Sequence, residues 1–120
     1  MGQYWKPVNI DKREFIHPHQ LKDGLKLVEF LGSTTTTALG VLLAAMPERR
    51  GGGDIEADPI VGRWAGDRIA IVGDYAEPGD IPNSPIPAPE LYAATVGQGD
   101  KPFTDITPLI AAYLSTNPLD

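Results

Sequence analysis

Apolar positions in this chain change period several times, and each change marks an element. From Tyr4 to Ile10 apolar and polar residues alternate roughly, Asp11-Lys12-Arg13 interrupt, and Phe15 and Ile16 follow. The pattern predicts a strand, a polar turn and a second strand, with Tyr4 or Trp5 across from Phe15 or Ile16 and with Pro7 marking an edge position. Leu25 to Leu31 is too short for its period to choose between strand and helix. Leu39, Leu42, Leu43 and Met46 then recur at helical spacing after Ser33 and the threonines through Thr37, whose hydroxyls can cap a helix start, and Pro47 ends the run. With Ala38, Gly40, Val41, Ala44 and Ala45 between them, this helix is apolar all round and is expected to be largely buried.

Ile60–Trp64 and Arg68–Asp74 flank Ala65-Gly66-Asp67, the pattern of a β-hairpin. In its second arm Ile69 and Ile71 alternate with Ala70 and Val72, so both faces read as covered and the arm as a central strand. Pro89 introduces a helix over Glu90 to Val96 closed by Gly97. Thr107 and Pro108 open a last helix that would bury Leu109, Ile110, Tyr113 and Leu114. Between these segments, the triple glycine Gly51-Gly52-Gly53 and the prolines from Pro78 to Pro89 predict flexible loops at about 48–58 and 76–89. The prediction is a single α+β domain over residues 1–120: a mainly antiparallel sheet of hairpins packed on the long buried helix, with the C-terminal helix closing the core. A three-layer α/β arrangement is the second choice.

Composition narrows the function classes. A hydrophobic content of 42% in 120 residues suffices for one ordinary core. A net charge of −6, with basic residues scattered, argues against nucleic acid and anionic membranes as partners. The chain has no cysteine, which removes disulfides, thiolate metal sites and a cysteine nucleophile. No apolar run approaches the ~18 residues of a membrane span, and the start lacks a basic segment followed by an apolar one, so the cytoplasm is the expected location.

Three places could hold chemistry. His17 and His19, two apart, project from one face of an extended chain and could share zinc or another divalent metal, with Asp74 at the end of an apolar strand as third ligand. The simpler account makes both histidines loop residues around Pro18 and Asp74 a turn cap. Second, Gly32-Ser33-Thr34 at the start of the long helix is a place where backbone N–H groups attract phosphate, with Ser33 and Thr34 as ligand-binding residues. No P-loop lysine or spaced-glycine fingerprint is present, and capping explains the hydroxyls equally well. Asp74, Glu77 and Asp80 match no EF-hand loop and read as solvated acids. No serine sits in a nucleophile elbow. Finally, Trp5, Trp64, Tyr75 and Tyr92 are amphipathic aromatics of the kind that anchor protein interfaces, with Trp5, Trp64 and Tyr75 the candidates, although most such residues are expected in the core.

The opening Met1-Gly2-Gln3-Tyr4-Trp5-Lys6-Pro7-Val8-Asn9, the stretch Asp23 to Glu29, and Trp64 through Gly73-Asp74-Tyr75 together resemble a small family of uncharacterised bacterial and bacteriophage proteins. The resemblance covers about half the chain. It implies a cytoplasmic, phage-encoded or bacterial protein and brings with it no activity, cofactor or site residue. The expectation is therefore a non-enzymatic interaction or accessory protein that binds a protein partner or forms a homodimer through its aromatic surface, with no cofactor. The alternative is a small metal- or nucleotide-dependent enzyme using His17, His19 and Asp74 or the Ser33-Thr34 helix start.

Overall fold

A computed structural model describes residues 3–45, 58–98 and 101–117; of the loop expected at 48–58, all but Asp58 lies outside the described residues. The first alternating run forms β1 (Trp5–Asn9), and the polar turn leads into β2 (Glu14–Phe15). A one-turn 3-10 helix, Pro18–Leu21, and the short α1 (Leu27–Phe30) precede α2 (Thr34–Leu43). Next come β3 (Ile69–Gly73), α3 (Ala88–Thr95), β4 (Thr104–Asp105) and α4 (Thr107–Thr116). The fold is α+β, and no helix among the described residues is long and apolar enough to cross a membrane.

The four strands make one mixed sheet in the order β3-β1-β2-β4. β1 runs antiparallel to β2, as hairpin reasoning predicts, and also antiparallel to β3, which that reasoning does not foresee, whereas β4 lies parallel to β2. Side-chain alternation divides the sheet's two faces. Val8, Ile10, Phe15 and Val72 pack with Ala88, Leu91 and Ala94 of α3 and with Phe103. Beyond the opposite face, Ile16 joins Leu21, Ala38, Val41, Leu42, Trp64, Ile106, Ile110 and Tyr113 in a helical core.

Several expectations change. Ile60–Trp64 is not a strand: its turns fold back on the C-terminal end of α2, where the Gly62 and Trp64 N–H groups donate to the Val41 and Leu42 carbonyls. The last carbonyls of a helix have no i+4 donor within it, and the segment supplies N–H groups to them, the Val41 carbonyl also accepting the Ala44 N–H at 3.4 Å. Among the described residues β3 consequently pairs only with β1 and is an edge strand, not a central one. Conversely β1 is interior despite Pro7. The Pro7 carbonyl still accepts from the Ile16 N–H, and the missing proline donor falls just past the end of two-residue β2, where little ladder is lost. Phe15 lies across from Val8, and Trp5 across from Gly73, so neither Tyr4 nor Trp5 faces Phe15 or Ile16. α2 buries only Thr35, Ala38, Val41 and Leu42, leaving Gly40 and Leu43 exposed, because the core covers a single side of it. On α4, Leu109 is exposed while Ile110 and Tyr113 are buried.

Candidate functional site

Lys6 shares its sheet face with Val8 and Ile10, and folding carries it into the α3 core at 3% exposure. Its ammonium reaches Thr95 Oγ1 at 3.3 Å and lies 5.0 Å from the Tyr92 ring centre and 5.9 Å from that of Phe15. Burial lowers the Lys6 pKa, a shift partly offset by the negative charge of Asp105. Extended backbone at His17 places its imidazole near the same group: burial, then Lys6 and His19, hold it below its usual range, with Asp105 opposing. His17 Nδ1 is buried without a hydrogen-bond partner, while its backbone N–H donates to Thr107 Oγ1 at 2.7 Å. The His17 and His19 rings are 6.2 Å apart and tilted by 52°. Among the described residues no three His, Asp or Glu side chains are placed to hold a metal, so Asp74 does not complete a trio with the two histidines. Asp74 Oδ1 instead accepts the Tyr4 N–H at 2.9 Å.

At the start of α2, Ser33 makes no side-chain cap bond. The carboxylate that fills this position comes from Asp23, 8% exposed, whose Oδ2 accepts both the Thr35 N–H and the Thr35 hydroxyl, at 2.7 and 2.6 Å. An anion of the chain itself thus occupies the helix N-terminus beside Ser33 and Thr34.

The three predicted interface aromatics separate. Trp64 is fully buried, and its indole N–H donates to Glu14 at 2.9 Å. It is a core residue, a correction to its reading as a surface anchor, and the Glu14 carboxylate that fixes it also takes the guanidinium of Arg63. Glu14 remains charged in this setting: burial raises its pKa, but the hydrogen bonds from Arg63 and Trp64 outweigh that and the net shift is downward. Trp5 is half-buried and Tyr75 is 58% exposed, and both stand at one end of the β1–β3 ribbon. There Tyr4, 47% exposed, exchanges backbone and side-chain bonds with Asp74, and the Tyr75 N–H donates to Gln3 Oε1. Tyr92 adjoins this end: burial, then the charge of Asp74 and the Tyr4 phenol, raise its pKa.

From this aromatic end runs the outer edge of β3. In an antiparallel pair alternate residues turn their backbone groups to the partner strand. Arg68 O accepts the Ile10 N–H and the Asp74 N–H donates to Tyr4 O, so Ala70 and Val72, in step with them, face β1. Ile69 and Ile71 therefore turn their N–H and C=O groups outward, and no described residue bonds to them there. Sequence reasoning missed this edge because alternation reports which faces of a strand are covered and not which strands stand beside it. Lys6 it could have found, since that residue has the parity of Val8 and Ile10.

A cleft of about 450 Å³ beside α3 is lined by Arg13, Glu90 and Lys101 around Ala94 and Phe103, and includes none of the predicted site residues. Comparison with known proteins finds no matching family model, no similar curated protein and no similar solved structure.

Proposed function

We propose that this chain is a non-enzymatic interaction protein that docks a protein partner by accepting an extended strand along the outer edge of β3, with Tyr4, Trp5 and Tyr75 gripping its flank. The observation that carries the reading is the open edge itself. A strand edge presents a row of unused donors and acceptors, and proteins that do not use one blunt it with lysine, proline, a bulge or a cover. Ile69-Ala70-Ile71-Val72-Gly73 has no charge and no proline, and its ladder to β1 runs unbroken from Trp5–Gly73 to Asn9–Ile69. Strand addition takes affinity from main-chain bonds and selectivity from neighbouring side chains, and exposed tyrosines suit the second task. Of the polar groups an enzymatic alternative would use, the Lys6 ammonium lies against the Phe15 and Tyr92 rings and His17 Nδ1 is buried without a hydrogen-bond partner, so they do not converge on open space. An accessory role also agrees with what the resemblance to bacterial and phage proteins implies.

Amide hydrogen exchange tests the edge directly. In dilute protein the Ile69 and Ile71 amides should exchange at least tenfold faster than those of Ala70 and Val72, which are bonded to β1. Equal protection of all four at high dilution means that the chain covers its own edge, and the proposal fails.

A further inference from the structure

Strand docking at β3 leaves the cleft beside α3 without a use. We infer that this cleft is a separate binding site for an apolar dipeptide with free ends, its carboxylate held by Arg13 and Lys101, its ammonium by Glu90 and its side chains by Phe103 and Ala94.

Size, floor and rim set the class of ligand. At about 450 Å³ the cleft falls within the range of small-molecule sites. Buried Phe103 and Ala94 and half-buried Ile86 give it an apolar floor, while Arg13, Glu90 and Lys101 stand exposed around it. None of these three charged side chains makes a hydrogen bond or an ion pair with a described residue. The floor thus suits an apolar body, and the rim offers two cations and one carboxylate that do not neutralise each other. A ligand that complements all of it carries an anionic group, a cationic group and apolar side chains between them.

Backbone bonds hold the two signs apart. The Phe103 N–H donates to the Ala94 carbonyl and the Thr104 N–H to the Arg13 carbonyl, which brings residues 101–103 and Arg13 to the later half of α3. Glu90 lies one turn before Ala94, ~5.4 Å along the helix axis. A free α-amino acid carries both charges on one Cα, closer together than that; a dipeptide sets them one residue further apart, ~3.5 Å more, and spans the turn. Arg13 is also a costly choice at its position. Its φ is +59°, in the left-handed region that glycine enters freely and other residues enter against steric resistance. The turn uses only its backbone, whose N–H donates to Asn9 and whose carbonyl accepts from Thr104. What glycine would not supply is the guanidinium lining the cleft, a planar group that takes a carboxylate by two parallel bonds.

Titration of the full chain with leucyl-phenylalanine, followed by amide nuclear magnetic resonance, reads the site. The Ala94, Gln98 and Phe103 amides should shift saturably, with half-saturation at or below about 1 mM. Arg13→Gly should weaken binding at least tenfold with an unchanged circular dichroism spectrum, since glycine accepts the φ of this position. If Arg13→Gly fails to fold, Lys101→Gln, at an exposed side chain, gives the same test. Glu90→Gln should weaken the dipeptide and leave N-acetyl-leucyl-phenylalanine, which has no ammonium, unaffected. The absence of a saturable shift up to about 10 mM overturns the site. Shifts confined to Ile69 and Ile71 place the peptide on the β3 edge, which overturns the site and supports strand docking. Shifts at the cleft that leave those two amides unmoved uphold the site, whatever becomes of the edge. Phenylalanine binding as tightly as leucyl-phenylalanine overturns the dipeptide, and acetylated dipeptide binding as tightly as the free one overturns the part given to Glu90.

Discussion

His17 shows what one side chain does in this fold. Its backbone N–H is satisfied by Thr107, yet its ring nitrogen Nδ1 is buried without a partner. The cost falls on the protonated form: burial is the largest influence, Lys6 and His19 add repulsion, and Asp105 only partly offsets them, so the ring is neutral at pH 7. A group whose folded pKa lies below its unfolded value supplies stability above the unfolded pKa, which is lost as pH falls through the folded one. For His17 that loss begins near the ordinary 6.5. Carboxylates held low, such as Glu14, titrate only further down. The urea midpoint should therefore drop between pH 7.5 and pH 5, and His17→Leu, which gives up no ring hydrogen bond, should flatten that drop. Parallel curves for the two proteins would mean that the imidazole is as easily protonated folded as unfolded.

At the scale of elements, much of the chain was legible. The first strand, its polar turn and the helices after Ser33, Pro87 and Ile106 follow from period and proline, both of which are local, although none of the three helices is capped by the side chain before it. The misreadings arise where distant backbone groups decide. Ile60–Trp64 has strand composition, but the carbonyls at the end of α2 draw its N–H groups away. Gly62 makes that close approach possible: it has a φ of +78°, and a Cβ there would come within 2.7 Å of the Ala44 carbonyl oxygen. Gly62→Ala should accordingly cost about 2–3 kcal/mol in urea unfolding, since it adds a backbone clash to an unfavourable φ. The start of α2 was misread in the same way. Ser33 is the local candidate for the cap, yet buried Asp23 supplies it from another loop. Asp23→Ala should destabilise by about 1–2 kcal/mol and Ser33→Ala by only a few tenths. Comparable losses would return the cap to Ser33. Among the site residues, a core place for most of the aromatics was expected, but that Trp64 takes it while Tyr75 stays exposed was not readable, because only the assembled fold brings Glu14 to the Trp64 indole.

The whole molecule is two cores with a shared wall. Consecutive residues divide between them, Phe15 to the α3 side and Ile16 to the helical side, so neither core can loosen without moving β2. The buried Trp64–Glu14 bond adds a tie, running from the helical core into the same strand. Such coupling requires unfolding in one step even though the apolar clusters are distinct. Leu91 on α3 is fully buried on one side of the wall, and Trp64 reports from the other. In a Trp5→Phe background Trp64 is the sole tryptophan. Adding Leu91→Ala should cost about 2–5 kcal/mol, the usual range for a buried leucine. Its effect should appear equally in Trp64 fluorescence and in far-ultraviolet circular dichroism, with the two urea transitions still superimposed. A circular dichroism transition that moves while the Trp64 transition stays in place would show that the helical core folds without the sheet. In that event the β3 edge would stand on a unit that opens independently, and its docking strength would depend on the α3 core alone.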